Sequence, residues 1–189
     1  KSVDGKGVSM FANCDLTSKK WRAEFDYKAG GSGEGGEDRY GYDGLVFMFY
    51  KNKGYMPQSG GSMGFDRMTS SCSGMGVVGY GIEFDNYRDV KPWNCANDPS
   101  ENHIALIFNS TDNHLISVNN LKTEDNLWHH TIVEFDNGKV IVEVDSSIII
   151  NYTLANVDYT YSGAGFGGAT GCCNSPNTHI IKNFTLHNL

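Results

Sequence analysis

The segment Gly81-Ile82-Glu83-Phe84-Asp85-Asn86-Tyr87-Arg88-Asp89 decides how this chain reads. Apolar and acidic residues alternate along it, Ile82 and Phe84 against Glu83 and Asp85. Successive side chains of a strand point to opposite faces, so one face delivers Ile82 and Phe84 to a core. The other face carries Glu83, Asp85, Tyr87 and, at first, Asp89. Two carboxylates spaced i, i+2 on one face repel each other unless a cation or a proton lies between them. The loop that follows adds Asp98 and His103, after which Ile104, Leu106 and Phe108 resume an apolar face.

Outward from this segment, strand character recurs and helical periodicity is almost absent. Strands are expected at 21–27, 45–50, 77–84, 103–108, 128–135, 140–144, 148–152, 163–167 and 180–186. In Thr131-Ile132-Val133-Glu134-Phe135 one face carries Ile132 and Glu134, the other Val133 and Phe135. Asp136-Asn137-Gly138, between two such runs, is a hairpin signal. Many short strands without helices imply an all-β sandwich of the jelly-roll kind. The stretches 30–42, 51–76, 86–102 and 168–178 are long connections, and loops of that length tend to carry function. Gly30-Gly31-Ser32-Gly33-Glu34-Gly35-Gly36 reads as a flexible loop within one domain, because strands continue on both sides. One domain is expected over 1–189.

Composition narrows the function. Charged residues are 20% and hydrophobic ones 39% of the 189, the balance of a globular chain. A net charge of −7 argues against nucleic acid, which needs a basic stripe. The longest apolar runs are too short to span a bilayer, so no membrane insertion is expected. The chain opens with Lys1-Ser2-Val3-Asp4 and no apolar leader, which reads as a mature chain or an excised domain. The five cysteines, Cys14, Cys72, Cys95, Cys172 and Cys173, contain no C-x-x-C pair, so zinc-site spacing is absent. Four of them lie in Gly/Ser/Asn-rich loops, where disulfides form in an oxidising compartment. Glycosylation signals begin at Asn109, Asn151 and Asn183. Together these features point to an extracellular glycoprotein, secreted or at the cell surface.

The acidic segment invites a metal. Calcium takes several oxygens from carboxylates, carbonyls and water, whereas imidazole suits a transition metal. Glu, Asp and His beside a set of Asp oxygens read as two adjacent metal sites. The same residues also fit an acidic strand end with a surface loop and a stray histidine. His114 and His187 read as surface residues, and His179 starts the closing strand. Of the neighbours His129 and His130, one is expected packed and one exposed.

The segment resembles the metal loop of the L-type (legume-lectin-like, concanavalin A-like) carbohydrate-binding domains. There it reads as an apolar residue, Glu, apolar, Asp, any residue, aromatic, any residue, Asn, then a loop to Asp-Pro and shortly His-Ile-Gly-Ile. This chain has Glu83-Phe84-Asp85-Asn86-Tyr87-Arg88-Asp89, then Asp98-Pro99, then His103-Ile104-Ala105-Leu106. Asp43-Gly44-Leu45-Val46-Phe47 looks like the family's Asp-Gly-Leu-Ala-Phe strand. Gly60-Gly61-Ser62-Met63-Gly64-Phe65 looks like its Gly-rich loop. Gly165-Phe166-Gly167-Gly168-Ala169-Thr170-Gly171 and the strand through Asn183-Phe184-Thr185-Leu186 resemble the last specificity loop and closing strand. The resemblance covers roughly 21–186 and implies a concanavalin A-like jelly-roll β-sandwich.

It also implies a site. Asp85 and Asp98 would bridge both metals. Glu83 and His103 would complete a transition-metal site (manganese or another ion). Tyr87 through its carbonyl and Asp89 through its side chain would complete the calcium site. Sugar hydroxyls would bond to Asp43, Asp89 and the Gly61 amide, with the Tyr87 ring stacked on the sugar. Cys172, Cys173 and Asn174 fall in the loop that tunes sugar choice. Two departures stand out. Asp89 occupies the usual Asn position; it can ligate calcium but cannot donate an amide N–H, so an altered specificity is expected. The link from Asp89 to Asp98 is longer than usual and carries Trp93, either a stacking platform or a lid over the core.

In that setting one or both of Cys172 and Cys173 would bridge to Cys95 or Cys72. The rival arrangement is a vicinal Cys172–Cys173 bond with Cys72–Cys95, and in either case Cys14 is the expected free thiol.

The expected function is calcium-dependent glycan binding, in adhesion or cell-surface recognition. The chain would then be a homo-oligomer or part of a larger surface protein. A second reading is a calcium-stabilised structural or adhesive module that binds protein or another subunit. A third, a β-glucan hydrolase, would need a second Glu after Glu83 and Asp85, but positions 87 and 88 are Tyr and Arg. The chain is therefore expected not to be an enzyme.

Overall fold

A computed structural model describes residues 7–31, 43–54, 60–66, 76–90, 97–122, 124–157, 159–170 and 177–189. In chain order the strands are β1 (Gly7–Leu16), β2 (Lys20–Gly31), β3 (Gly44–Asn52), β4 (Val78–Asp85), β5 (His103–Phe108) and β6 (His114–Asn119). They continue as β7 (His129–Asp136), β8 (Lys139–Val144), β9 (Ser147–Thr153), β10 (Tyr161–Ala169) and β11 (Asn177–Asn188). A short 3-10 turn spans Gly60–Ser62. The nine expected strands are present, and β1 and β6 are additional.

The strands form two antiparallel sheets. A front sheet of six runs β1-β10-β3-β4-β5-β6, and a back sheet of five runs β11-β2-β7-β8-β9. This is the jelly-roll sandwich expected from the sequence.

Period-two alternation on both sheets builds the core between them. From β4 come Ile82 and Phe84, from β7 Val133 and Phe135, and from β2 Trp21, Ala23, Phe25 and Tyr27. Phe25 is fully buried, with ring centroids 5.5 Å from Phe47, 6.2 Å from Phe84 and 5.0 Å from Phe166. Such aromatic pairs add about 0.5–1.5 kcal/mol each beyond burial alone. Phe84 thus anchors β4 between its two acidic neighbours, Glu83 and Asp85.

Local turn chemistry sets the back-sheet register. Asn137 and Gly138 both have positive φ (51° and 89°) and close a two-residue hairpin in which Asp136 faces Lys139. That backbone twist matches the twist of the flanking strands, which is why Asn-Gly is favoured there. Asp145 and Ser146, at φ 48° and 66°, close the next hairpin in the same way. His129 packs against Tyr27 at 5.1 Å between ring centroids while its neighbour His130 is exposed, as the alternation required.

The front sheet is covered on its outer face as well. Val46, Met48, Tyr50, Met63, Phe65, Val77, Ala105 and Ile107 form a second buried cluster there. The carboxylates of β4 lie on this outer side, beside the turn at Gly60–Ser62, in a region closed from water.

Candidate functional site

The pairing of β4 with its neighbours brings the acidic residues to one place. Glu83 sits opposite Val46 and Ala105, and Asp85 opposite Gly44 and His103. Glu83, Asp85 and His103 are fully or almost fully buried, and Asp43, Asp89 and Asp98 are 3–4% exposed. Buried charges of one sign are costly unless paired or bound to an ion.

Backbone hydrogen bonds hold the loop after β4 in place. The Tyr87 amide donates to Asp85 Oδ1 at 2.6 Å, and the Asp89 amide donates to Asp98 Oδ2 at 2.6 Å. The Asp98 amide donates to the Asp89 carbonyl at 2.9 Å, closing the long excursion between them. Asp43 is tied in through Asn86, whose amide donates to the Asp43 carbonyl at 2.8 Å. The expected ligands Asp85, Tyr87, Asp89 and Asp98 thus share one hydrogen-bonded loop system.

Among the described residues two potential ligand sets emerge. Asp85, Asp98 and His103 offer atoms all within 4.8 Å of one another, and so do Glu83, His103 and His114. His103 belongs to both. Its Nδ1 lies 3.1 Å from the Ser100 carbonyl. A carbonyl only accepts, so Nδ1 donates to it, and Nε2 is turned toward Glu83.

His114 was expected at the surface and is not there. Its Nε2 stands 3.1 Å from Glu83 Oε2 and 3.9 Å from Asp98 Oδ1, and its side chain is 14% exposed. The pairing of β5 with β6 shifts register between Leu106 and Ile107, so His114 comes opposite Ile107. Ile107 faces the outer cluster, and the shift re-aims His114 to the same side. The sequence did hold a signal: the turn-forming run Asn109-Ser110-Thr111-Asp112-Asn113 precedes apolar Leu115, Ile116 and Val118.

Electrostatics mark the site as cation-seeking. Burial raises the Asp98 carboxyl to about 8, with the Glu83 charge adding to it. Burial raises Asp43 to about 7, helped by Asp89. Asp89 rises to about 6 through burial and Glu83, while its hydrogen bond from the Gly61 amide pulls the other way. Asp85 is raised by burial and by its acidic neighbours. Burial pushes Glu83 up too, but His103 and His114 more than offset this and hold it low. For His114 burial disfavours the charge, yet Glu83 and Asp98 raise its pKa on balance.

Whether these residues fit a metal is decided by the buried polar atoms. Both Glu83 carboxylate oxygens, Asp98 Oδ1, His103 Nε2 and His114 Nε2 are buried without a hydrogen-bond partner. Glu83 Oε2 lies 3.4 Å from His103 Nε2 and 3.1 Å from His114 Nε2. Buried polar atoms are seldom left this way, and a cation between them satisfies all of them at once. The residues fit the group.

Among the residues expected to contact sugar, Asp43 has its Oδ2 likewise buried without a hydrogen-bond partner. Gly61 lies in the 3-10 turn, and a Cβ there would collide with Asp89 Oδ2. Only glycine allows the turn to approach Asp89 this closely. Tyr87 is partly buried beside them. Cys172, Cys173 and Asn174 lie outside the described residues, as do Trp93, Cys72 and Cys95 and hence the expected disulfides. Cys14 is free and partly buried, in agreement with its assignment as the unpaired thiol.

No family model matches the chain, and no curated protein matches it. Solved structures do. The VIP36 exoplasmic/lumenal domain in its Ca2+/Man-bound form is similar at a TM-score of 0.70 and 16% identity, over 100% of this chain and 76% of that one. Winged bean acidic lectin complexed with methyl-alpha-D-galactose is similar at 0.70 and 16%, over 95% and 78% of the two chains. The Lotus tetragonolobus seed lectin gives 0.70 and 16%, over 98% and 82%. The chain therefore has the fold of the L-type lectins.

Proposed function

We propose that the chain binds carbohydrate at a calcium-organised site on the outer face of the front sheet. The observation that carries this reading is the pair of ligand sets sharing His103 within 4.8 Å, surrounded by buried carboxylates. Asp85, Asp98, Asp89 and the Tyr87 carbonyl would hold calcium. Glu83, Asp85, Asp98 and His103 would hold a transition metal. Bound cations would neutralise the acidic cluster and hold Asp85, Asp89 and Asp98 together. Asp43, whose Oδ2 is unpartnered, would accept from sugar hydroxyls. The Tyr87 ring would stack on the sugar, and Gly61, Asp89, Cys172, Cys173 and Asn174 would frame it.

Support comes from the structural neighbours as well, since VIP36 is described in calcium- and mannose-bound form and the winged bean lectin with a galactoside. The role is recognition of glycans outside the cell, as a free chain or as part of a larger surface protein.

One observation favours a second reading. The Gly61 amide, which would donate to a sugar, is engaged by the Asp89 carboxylate. A calcium-stabilised module that binds protein would need no such donor. A glycan array probed with and without chelator separates the readings. Glycan signals that vanish on chelation support the lectin. Calcium-dependent stability without any glycan signal supports the module, and turnover of a β-glucan would support an enzyme instead.

A further inference from the structure

We infer that His114 is a metal ligand, and that Glu83, His103 and His114 form a two-imidazole site selective for a borderline transition ion such as zinc or cobalt. The inference rests on the metal reading above and goes beyond it in naming a residue and a preference.

Three observations converge. Glu83 Oε2 stands 3.4 Å from His103 Nε2 and 3.1 Å from His114 Nε2. Around an ion with bonds of about 2.0–2.1 Å in tetrahedral array, neighbouring ligand atoms are roughly 3.3 Å apart. The spacings are therefore those of a ligand shell. Next, none of these three atoms has a hydrogen-bond partner, and Glu83 and His103 are completely buried. Finally, the register shift at Leu106/Ile107 brings His114 opposite Ile107, on the face that carries the outer cluster and Glu83. Asp98 Oδ1, 3.9 Å from His114 Nε2 and also unpartnered, is positioned to complete a fourth ligand.

The second imidazole changes the metal that the site prefers. Calcium and manganese favour oxygen ligands, whereas imidazole nitrogen favours zinc, cobalt and copper. The adjacent calcium set of Asp85, Asp89, Asp98 and the Tyr87 carbonyl contains no nitrogen, so the two positions discriminate between hard and borderline ions.

The test uses chelator-stripped protein titrated calorimetrically with zinc alone, with manganese alone and with calcium alone, in wild type, His114→Ala and His114→Gln. Wild type is expected to bind zinc more tightly than manganese. Both variants should lose at least about tenfold in zinc affinity while keeping calcium affinity within about twofold. X-ray absorption at the zinc edge should count two imidazoles in wild type and one in His114→Gln. Unchanged zinc affinity in both variants, or one imidazole in wild type, overturns the inference while leaving calcium binding and the lectin reading standing. If neither ion binds wild type, the metal reading itself fails. Melting of each variant in chelator shows whether it is folded, and the imidazole count is read on whichever variant is.

Discussion

Nε2 of His114 stands 3.1 Å from Oε2 of Glu83, although a whole strand, β5, runs between the strands that carry them. The contact joins the edge strand of the front sheet to its most buried carboxylate. Around that pair the chain gathers Asp43, Asp85, Asp89 and Asp98, a set of like charges that water does not reach. Such a cluster makes the metal-free protein sensitive to pH.

The sign follows from proton counts. Burial raises Asp89 to about 6, Asp43 to about 7 and Asp98 to about 8, above their unfolded values near 3.9. Between the unfolded and folded values the native state holds more protons than the unfolded chain. The contribution of these three groups is therefore fully present below pH about 4 and is lost as pH rises through their folded values of about 6 to 8. Each titrating carboxylate contributes a slope of about 1.4 kcal/mol per pH unit. His179, lowered to about 4 by burial, opposes this only below pH about 6.5. Urea melts in chelator should show stability dropping from pH 6.5 to 8.5, and saturating calcium should flatten the profile.

Asp89→Asn removes one buried charge while keeping an oxygen for the Gly61 amide. In chelator at pH 8 the variant should be more stable by roughly 1–3 kcal/mol, because no carboxylate need ionise there. Calcium should bind it more weakly, and its new amide N–H should broaden or shift the glycan profile. Melts, calcium titration and a glycan array read the three effects.

Gly61→Ala places a methyl where Asp89 Oδ2 now lies. Since the obstacle is the end of a side chain, the fold should survive with a loss of about 1 kcal/mol or less in chelator. Calcium affinity should fall about tenfold because Asp89 is displaced from its position. Equal calcium affinity in variant and wild type would show that Asp89 does not need its present placement.

Much of this was legible in the residues themselves. The alternation in 81–89 placed Ile82 and Phe84 in the core and Glu83 and Asp85 on the other face, and both faces are observed. Asn137-Gly138 announced its hairpin because only residues tolerant of positive φ suit that turn. The strand β6 was less visible: five of its six residues are only partly buried, Asn119 is exposed, and the register shift mixes both faces. A shift of register is a property of two strands together, so the alternation of one strand does not reveal it. For that reason His114 read as a surface residue. The edge strand β1 was hidden by its exposed Val8 and Met10, which alternate with no buried partner to declare a face.

The core couples to the site through Phe84. Phe25→Ala should cost about 3–5 kcal/mol, as expected for a fully buried aromatic side chain. Denaturant unfolding in calcium measures it, and a loss under 1 kcal/mol would mean the sheets repack around the gap.

The most direct test is calorimetric binding of the strongest array glycan to calcium-loaded, chelator-stripped and calcium-restored protein. Binding should be present, then lost, then recovered. Equal affinity after stripping, or calcium-loaded protein that binds no glycan at all, would contradict a calcium-organised carbohydrate site.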